Sequence, residues 1–252
     1  MERPTTSTRW PQLIGLGVSI AAGLVISSAI VSYTLNRVAI NKQSVVVKGL
    51  AEKQVSADQA RWQITVRGAG QSVQEAFSAM RANRPKVTDF FKEQGFTDEQ
   101  VEAGREMFDT IYRTDKEGRQ TNEVEQYVAN QTLRVRSNDV KRVADAVAKI
   151  VSLQEQGLPI DVESPEYLVS TLEKVKMSLI ADATRNAHDR ANEFAKTGDS
   201  KVGAMKSATQ GAFYILPAEG ATNDAEYGGT YDKTTIDKVA RVVVTIEYGL
   251  AQ

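Results

Sequence analysis

The 252-residue sequence predicts an α+β chain, built from antiparallel sheets and long packed helices in two strand-and-helix lobes, behind one N-terminal transmembrane helix. Three observations carry that reading. Residues 13–35 run without a charged side chain. Period-two segments, such as Arg61–Arg67, recur as separate strand candidates along the chain. Between them lie helical stripes that do not alternate one-for-one with strands, as a doubly wound parallel sheet would require.

The uncharged run LIGLGVSIAAGLVISSAIVSYTL is long enough to cross a hydrocarbon core, which takes about 20 residues at 1.5 Å each. A cleaved signal peptide ending near Ser27-Ser28-Ala29 is the other reading of the same residues. Apolar character continues through Ile30, Val31, Tyr33 and Leu35, which favours a retained signal anchor. The chain then divides into a tail at 1–12, an anchor at 13–35 and a folded domain at 36–252. Arg3, Arg9 and the amino terminus balance Arg37 and Lys42, so flanking charge does not orient the span.

In the domain, residues 45–55 and 59–68 read as strands; in the second, Trp62, Ile64 and Val66 alternate with Arg61, Gln63, Thr65 and Arg67. Ser72 and Glu75 form a capping-box spacing ahead of a helix with Val73, Ala76, Phe77, Met80, Val87 and Phe91 on one face. Gly95 closes it, and Pro85 is expected to kink or split it. Strands at 101–114 and around Tyr127–Arg136 flank a DKEGR turn. A second helix follows Ser137 and Asn138, with Val140, Val143, Ala144, Val147, Ile150 and Val151 as its stripe and Gly157 at its end.

After a short LPIDVE strand, Ser164 and Pro165 read as the cap and first turn of the longest helix, running to about Thr197. Its stripe comprises Leu168, Leu172, Val175, Leu179, Ala183, Ala187, Ala191 and Phe194. Small side chains at Ala183, Ala187, Ala191 and Ala195 recur every fourth residue and predict a close packing or oligomer surface. A strand at 202–216, a polar loop at 219–235 and a final strand complete the chain.

Composition narrows the chemistry. With 31 basic and 32 acidic residues, the chain lacks the electrostatic footprint of a nucleic-acid binder. The absence of cysteine removes thiol nucleophiles, disulfides and thiolate metal sites. Gly68 and Gly70 in RGAGQSV resemble a dinucleotide fingerprint, but Val73 fills the third small-residue position and Asp89 falls within a helical pattern. A glycine turn between strand and helix is the simpler reading. His188, the single histidine, sits one position off the alanine stripe, and Asp182, Asp189 and Glu193 do not converge with it as metal ligands. A solvated or edge position is expected for it. Asp224, Glu226 and Asp232 in the polar loop lack calcium-loop spacing. No catalytic, cofactor-binding or metal-binding residue is assigned, and none of these cofactors is expected.

Three stretches together resemble the SIMPL-domain family of bacterial envelope proteins, over about residues 44–250. They are VVVKGLAEKQVSADQARWQITV, with Gly49, Asp58 and Ala60; LIADATRNAHDRANEFAKTGDSKVG, with Asp182, Arg190, Gly198 and Gly203; and VARVVVTIEYGL. The resemblance implies an α+β fold, a periplasmic or surface location, self-association into rings or cages, a link to oxidative-stress defence, and no known catalytic residues. The resulting expectation is a non-enzymatic protein held in the cytoplasmic membrane through residues 13–35, its domain in the periplasm or outside the cell. Its partners are copies of itself and possible other envelope proteins, not nucleic acid. The alternative is an envelope enzyme or small-ligand binder with a pocket between the lobes.

Overall fold

A computed structural model describes residues 20–34, 43–219 and 230–251. Of the predicted span, residues 20–34 form a helix, α1, and the remainder lies outside the described residues, as does the 1–12 tail. Among the described residues no helix is long and apolar enough to cross a membrane. Within α1, Ser28 and Thr34 donate to the carbonyls of Val25 and Ile30 at 2.9 and 2.8 Å, so these hydroxyls need no water partner.

The remaining elements are β1 (Ser44–Ser56), β2 (Gln59–Gly70), α2 (Val73–Glu93), β3 (Val101–Thr114), β4 (Gln120–Ser137), α3 (Val140–Glu155), β5 (Ile160–Val162), β6 (Glu166–Leu168), α4 (Leu172–Thr197), β7 (Lys201–Pro217) and β8 (Asp237–Ala251). One sheet has the order β1-β8-β7 and the other β3-β4-β2-β5, with β6 also pairing β2. The expected α+β architecture with antiparallel sheets is present. Two compact units result: Met1–Ala51, Ile180–Gly211 and Val243–Gln252 in the first, Glu52–Leu179 and Ala212–Val242 in the second.

The second unit holds the larger core. Alternation along β2 buries Trp62, Ile64 and Val66 beneath Met80, Val87 and Phe91 of α2 and Val143 and Ile150 of α3. Trp62 meets Phe91 edge-on at 5.9 Å, and its indole N–H donates to the Glu163 carbonyl at 2.9 Å, so burial leaves no polar atom unpaired. Ser72 caps α2 by accepting from the Glu75 amide, as the box spacing predicts.

Four expectations are corrected. Pro85 does not split α2, which runs unbroken from Val73 to Glu93; its ring lies on the exposed face, where the bond it cannot make is lost to solvent. In α3, Asp139 supplies the cap by accepting from the Arg142 amide at 3.0 Å, and Val151 is exposed while Ala146 is buried. Ser164 and Pro165 do not open α4. Instead Glu166, Tyr167 and Leu168 pair with Arg61, Ala60 and Gln59, and the helix begins only at Leu172. Fixed φ and a missing N–H suit Pro165 equally well to an extended lead-in, and the burial of Tyr167 and Val169 favours the strand. Phe194 is also off the buried stripe, being 63% exposed.

Candidate functional site

The four alanines lie within the first unit. Ala183, Ala187, Ala191 and Ala195 are all buried, and their face lies on β1. The approach is close enough to demand glycine: a Cβ at Gly49 would lie 2.0 Å from the Ala183 carbonyl oxygen and 2.8 Å from the Ala187 Cβ. This stripe therefore holds the fold of its own chain. Its edge is guarded too. Asn186 Oδ1 accepts from the Leu50 amide at 3.1 Å, and an Arg190 guanidinium donates to the Lys48 carbonyl at 3.0 Å, so α4 occupies backbone groups of edge strand β1. No short-range pattern signals pairings across more than a hundred residues.

His188 is exposed. Its Nδ1 lies 3.1 Å from Asn192 Nδ2, and its ring meets Tyr248 edge-on at 5.6 Å. Asp182 pairs with Arg185 instead of with the histidine. Among the described residues no three histidine or carboxylate side chains gather as a metal site would require.

Gly68, the first glycine of the fingerprint-like stretch, has a packing task. A Cβ there would fall 2.1 Å from the Met80 amide nitrogen, so its absence lets α2 cross directly over β2. The second unit thus uses the device seen at Gly49 in the first.

An open cleft of about 810 Å³ in the second unit is lined by Gln54, Ser56, Tyr167, Thr234, Thr235 and Lys238, among others. Lys238 is fully buried, and its ammonium donates to the Asp232 carbonyl at 2.8 Å and to Asp232 Oδ2 at 3.0 Å. Asp232 also accepts from the Thr235 hydroxyl and from the Thr234 hydroxyl and amide at 2.7 and 2.8 Å. Burial opposes the charge on Asp232. The hydrogen bonds from Thr235, Thr234 and Lys238 outweigh it and hold the carboxyl far below its ordinary range. An ammonium and a carboxylate that satisfy each other in this way are poor general base and nucleophile. They tie the 230–238 segment to the unit, where the Asp232 amide donates to the Ile215 carbonyl and the Tyr167 amide to that of Lys233. Of the three acids noted in the polar loop, Asp224 and Glu226 lie outside the described residues.

A smaller lock lies nearby in sequence. Asp58 accepts from the Ser170 amide at 2.7 Å and from its hydroxyl. Burial again opposes the charge, yet the Ser170 bonds win and lower the carboxyl pKa.

The most exposed apolar feature of the second unit is the β3–β4 hairpin. β2 pairs β4 only from Ser137 to Tyr127, so beyond Tyr127 the hairpin is a two-stranded ribbon. Met107, Phe108, Ile111, Tyr112 and Val124 on it are 37 to 58% exposed. Alternation puts Phe108 and Tyr112 on one face and Met107 and Ile111 on the other. The first face continues inward, because Phe108 meets Phe77 and Tyr127 edge-on at 6.0 and 6.4 Å. Sequence reading gave the hairpin but assigned this face no role; four large apolar side chains within Met107–Tyr112 were the available signal.

Structural support and apolar display thus define an α+β domain whose described polar clusters tie segments together. The chain belongs to the SIMPL family: its family model, described as a protein of unknown function (DUF541), matches residues 45–248. No curated protein matches the chain.

Proposed function

We propose that this SIMPL-family chain is a non-enzymatic envelope protein, anchored in the cytoplasmic membrane through residues 13–35, whose external domain acts by assembling with copies of itself. A ring or cage serving envelope or oxidative-stress defence is the form that the family reading suggests. The observation that carries the assembly is the apolar hairpin. An edge strand with large apolar side chains on both faces is an association surface unless something covers it. β3 is regular from Glu106 to Thr114, since the irregularities beyond Ile111 place the extra residues on β4. Antiparallel pairing of two β3 edges about Ile111 would set Asp109 of each copy opposite Arg113 of the other, a self-complementary match.

The test is the size of the detergent-extracted full chain, measured by sedimentation. The parent should form a discrete oligomer, and Ile111→Lys should dissociate it with unchanged circular dichroism. A monomeric parent, or a variant that assembles like the parent, would overturn the assembly reading. The open cleft favours a second reading, a small-ligand binder. In that case a monomeric parent would gain thermal stability from a ligand, and Ser56→Trp would abolish the gain.

A further inference from the structure

At one end of the first unit lies a shallow groove of about 390 Å³, formed by Ser44, Val45 and Val46 of β1, Phe194 of α4, Gly198 and Leu250 of β8. One side chain on the α4 side of it is conspicuously uncovered, Phe194 at 63% exposed; Val46, 62% exposed, alternates with the buried Val47 and Gly49 onto the other face of β1. Three backbone donors around it are already bonded. Gly198 donates to Phe194 at 3.1 Å, Ser200 to Ala195 at 2.9 Å and Leu250 to Gln43 at 3.0 Å. Entry of this rim into a poorly hydrated medium strips none of those groups of a partner.

Chain connectivity indicates which medium. Ser44, on the rim, is the first residue of β1, and only residues 35–42 separate α1 from Gln43. Nine links from Thr34 to Gln43, at about 3.3–3.6 Å each, limit the separation to about 30 Å. If α1 is in a bilayer, the groove is confined near that bilayer at high effective concentration, so even a small apolar patch meets it. Charges beside the rim nearly balance: Glu193 and Asp199 against Lys196, Lys201 and Lys206, whose ammonium donates to the Gln43 carbonyl at 3.3 Å. That balance suits apolar contact with lipid of any headgroup charge.

We propose that this rim is a membrane-contacting foot, with Phe194 and Leu250 resting at the headgroup–acyl boundary of the bilayer that α1 enters. The inference rests on the anchor reading above. Because the chain lacks cysteine, single cysteines can carry an environment-sensitive fluorophore. Leu24→Cys reports on α1, Ser44→Cys on the rim and Arg185→Cys on α4, nine residues before Phe194 and about 13 Å along the helix. Each full-length variant is reconstituted in phosphatidylcholine vesicles containing a spin-labelled phosphatidylcholine quencher.

Quenching is expected at Leu24→Cys and Ser44→Cys but not at Arg185→Cys, and raised salt should leave it unchanged. Adding Phe194→Ser to Ser44→Cys should reduce rim quenching severalfold; Phe194 is exposed, so the fold should be unaffected. Quenching at Leu24→Cys alone overturns the foot and leaves the anchor standing, the rim then being covered by residues 35–42 or a second copy. Quenching at neither Leu24→Cys nor Ser44→Cys overturns both. Rim quenching that survives Phe194→Ser, or that is matched at Arg185→Cys, overturns the foot as a specific contact.

Discussion

Asp232 and Lys238 bring together a fully buried ammonium and a carboxylate that five hydrogen bonds from Thr234, Thr235 and Lys238 keep ionised. Removing one partner of such a pair strands the other charge. Asp232→Asn should therefore cost about 3–5 kcal/mol in urea denaturation. Replacing both residues, Asp232→Asn with Lys238→Met, should recover most of that loss, because no buried charge is left. The carboxyl pKa is depressed in the fold, so its contribution is present above the unfolded value of about 3.9 and is lost as pH falls below it. Acid titration of stability should show this loss in the parent and its absence in Asp232→Asn. An equal acid slope in both would assign the effect to other groups. Neither residue was legible as a pair beforehand: six positions apart, they fall in a loop and a strand that only the fold brings together.

At the scale of elements, each unit lays a helix over a strand glycine. Ala183 and Ala187 of α4 cover Gly49, and Ala76 and Met80 of α2 cover Gly68. Ala187→Leu adds volume where the backbones already touch and should cost about 1–3 kcal/mol. Asn192→Leu, on the exposed face, should stay within about 0.5 kcal/mol. Leucine ranks only just below alanine and above asparagine in helix propensity, so propensity contributes little to a loss of this size at Ala187. Equal melting temperatures would show that the stripe tolerates volume. Periodicity made β2, β4, α2 and the alanine face readable because each buries one side and leaves the other more exposed. It failed where a partner distant in sequence decides: Glu166–Leu168 is a strand because β2 is available to pair with it. Phe194 fits the stripe's spacing but not its burial, since the face centred on Ala191 and Ala195 turns it outward.

For the molecule as a whole, the family and the α+β class were readable from ordered motifs spread over residues 45–248. The orientation of the proposed span at 13–35 was not, because Arg3 and Arg9 nearly balance Arg37 and Lys42. The proposed envelope role requires residues 36–252 to be external, and the hairpin offers a precise reporter. Lys116 and Arg119 are exposed in the turn joining β3 to β4, whereas Lys238 is buried. Turns of this kind are the preferred sites of proteolytic nicking. Trypsin added to intact bacterial spheroplasts should first cut at the turn. Lys116→Gln with Arg119→Gln should delay that first cut without changing the fold, which distinguishes a nick in folded protein from digestion of unfolded chain. A domain protected in intact spheroplasts and cut at the same turn only after lysis would place residues 36–252 inside the cell and remove the envelope role.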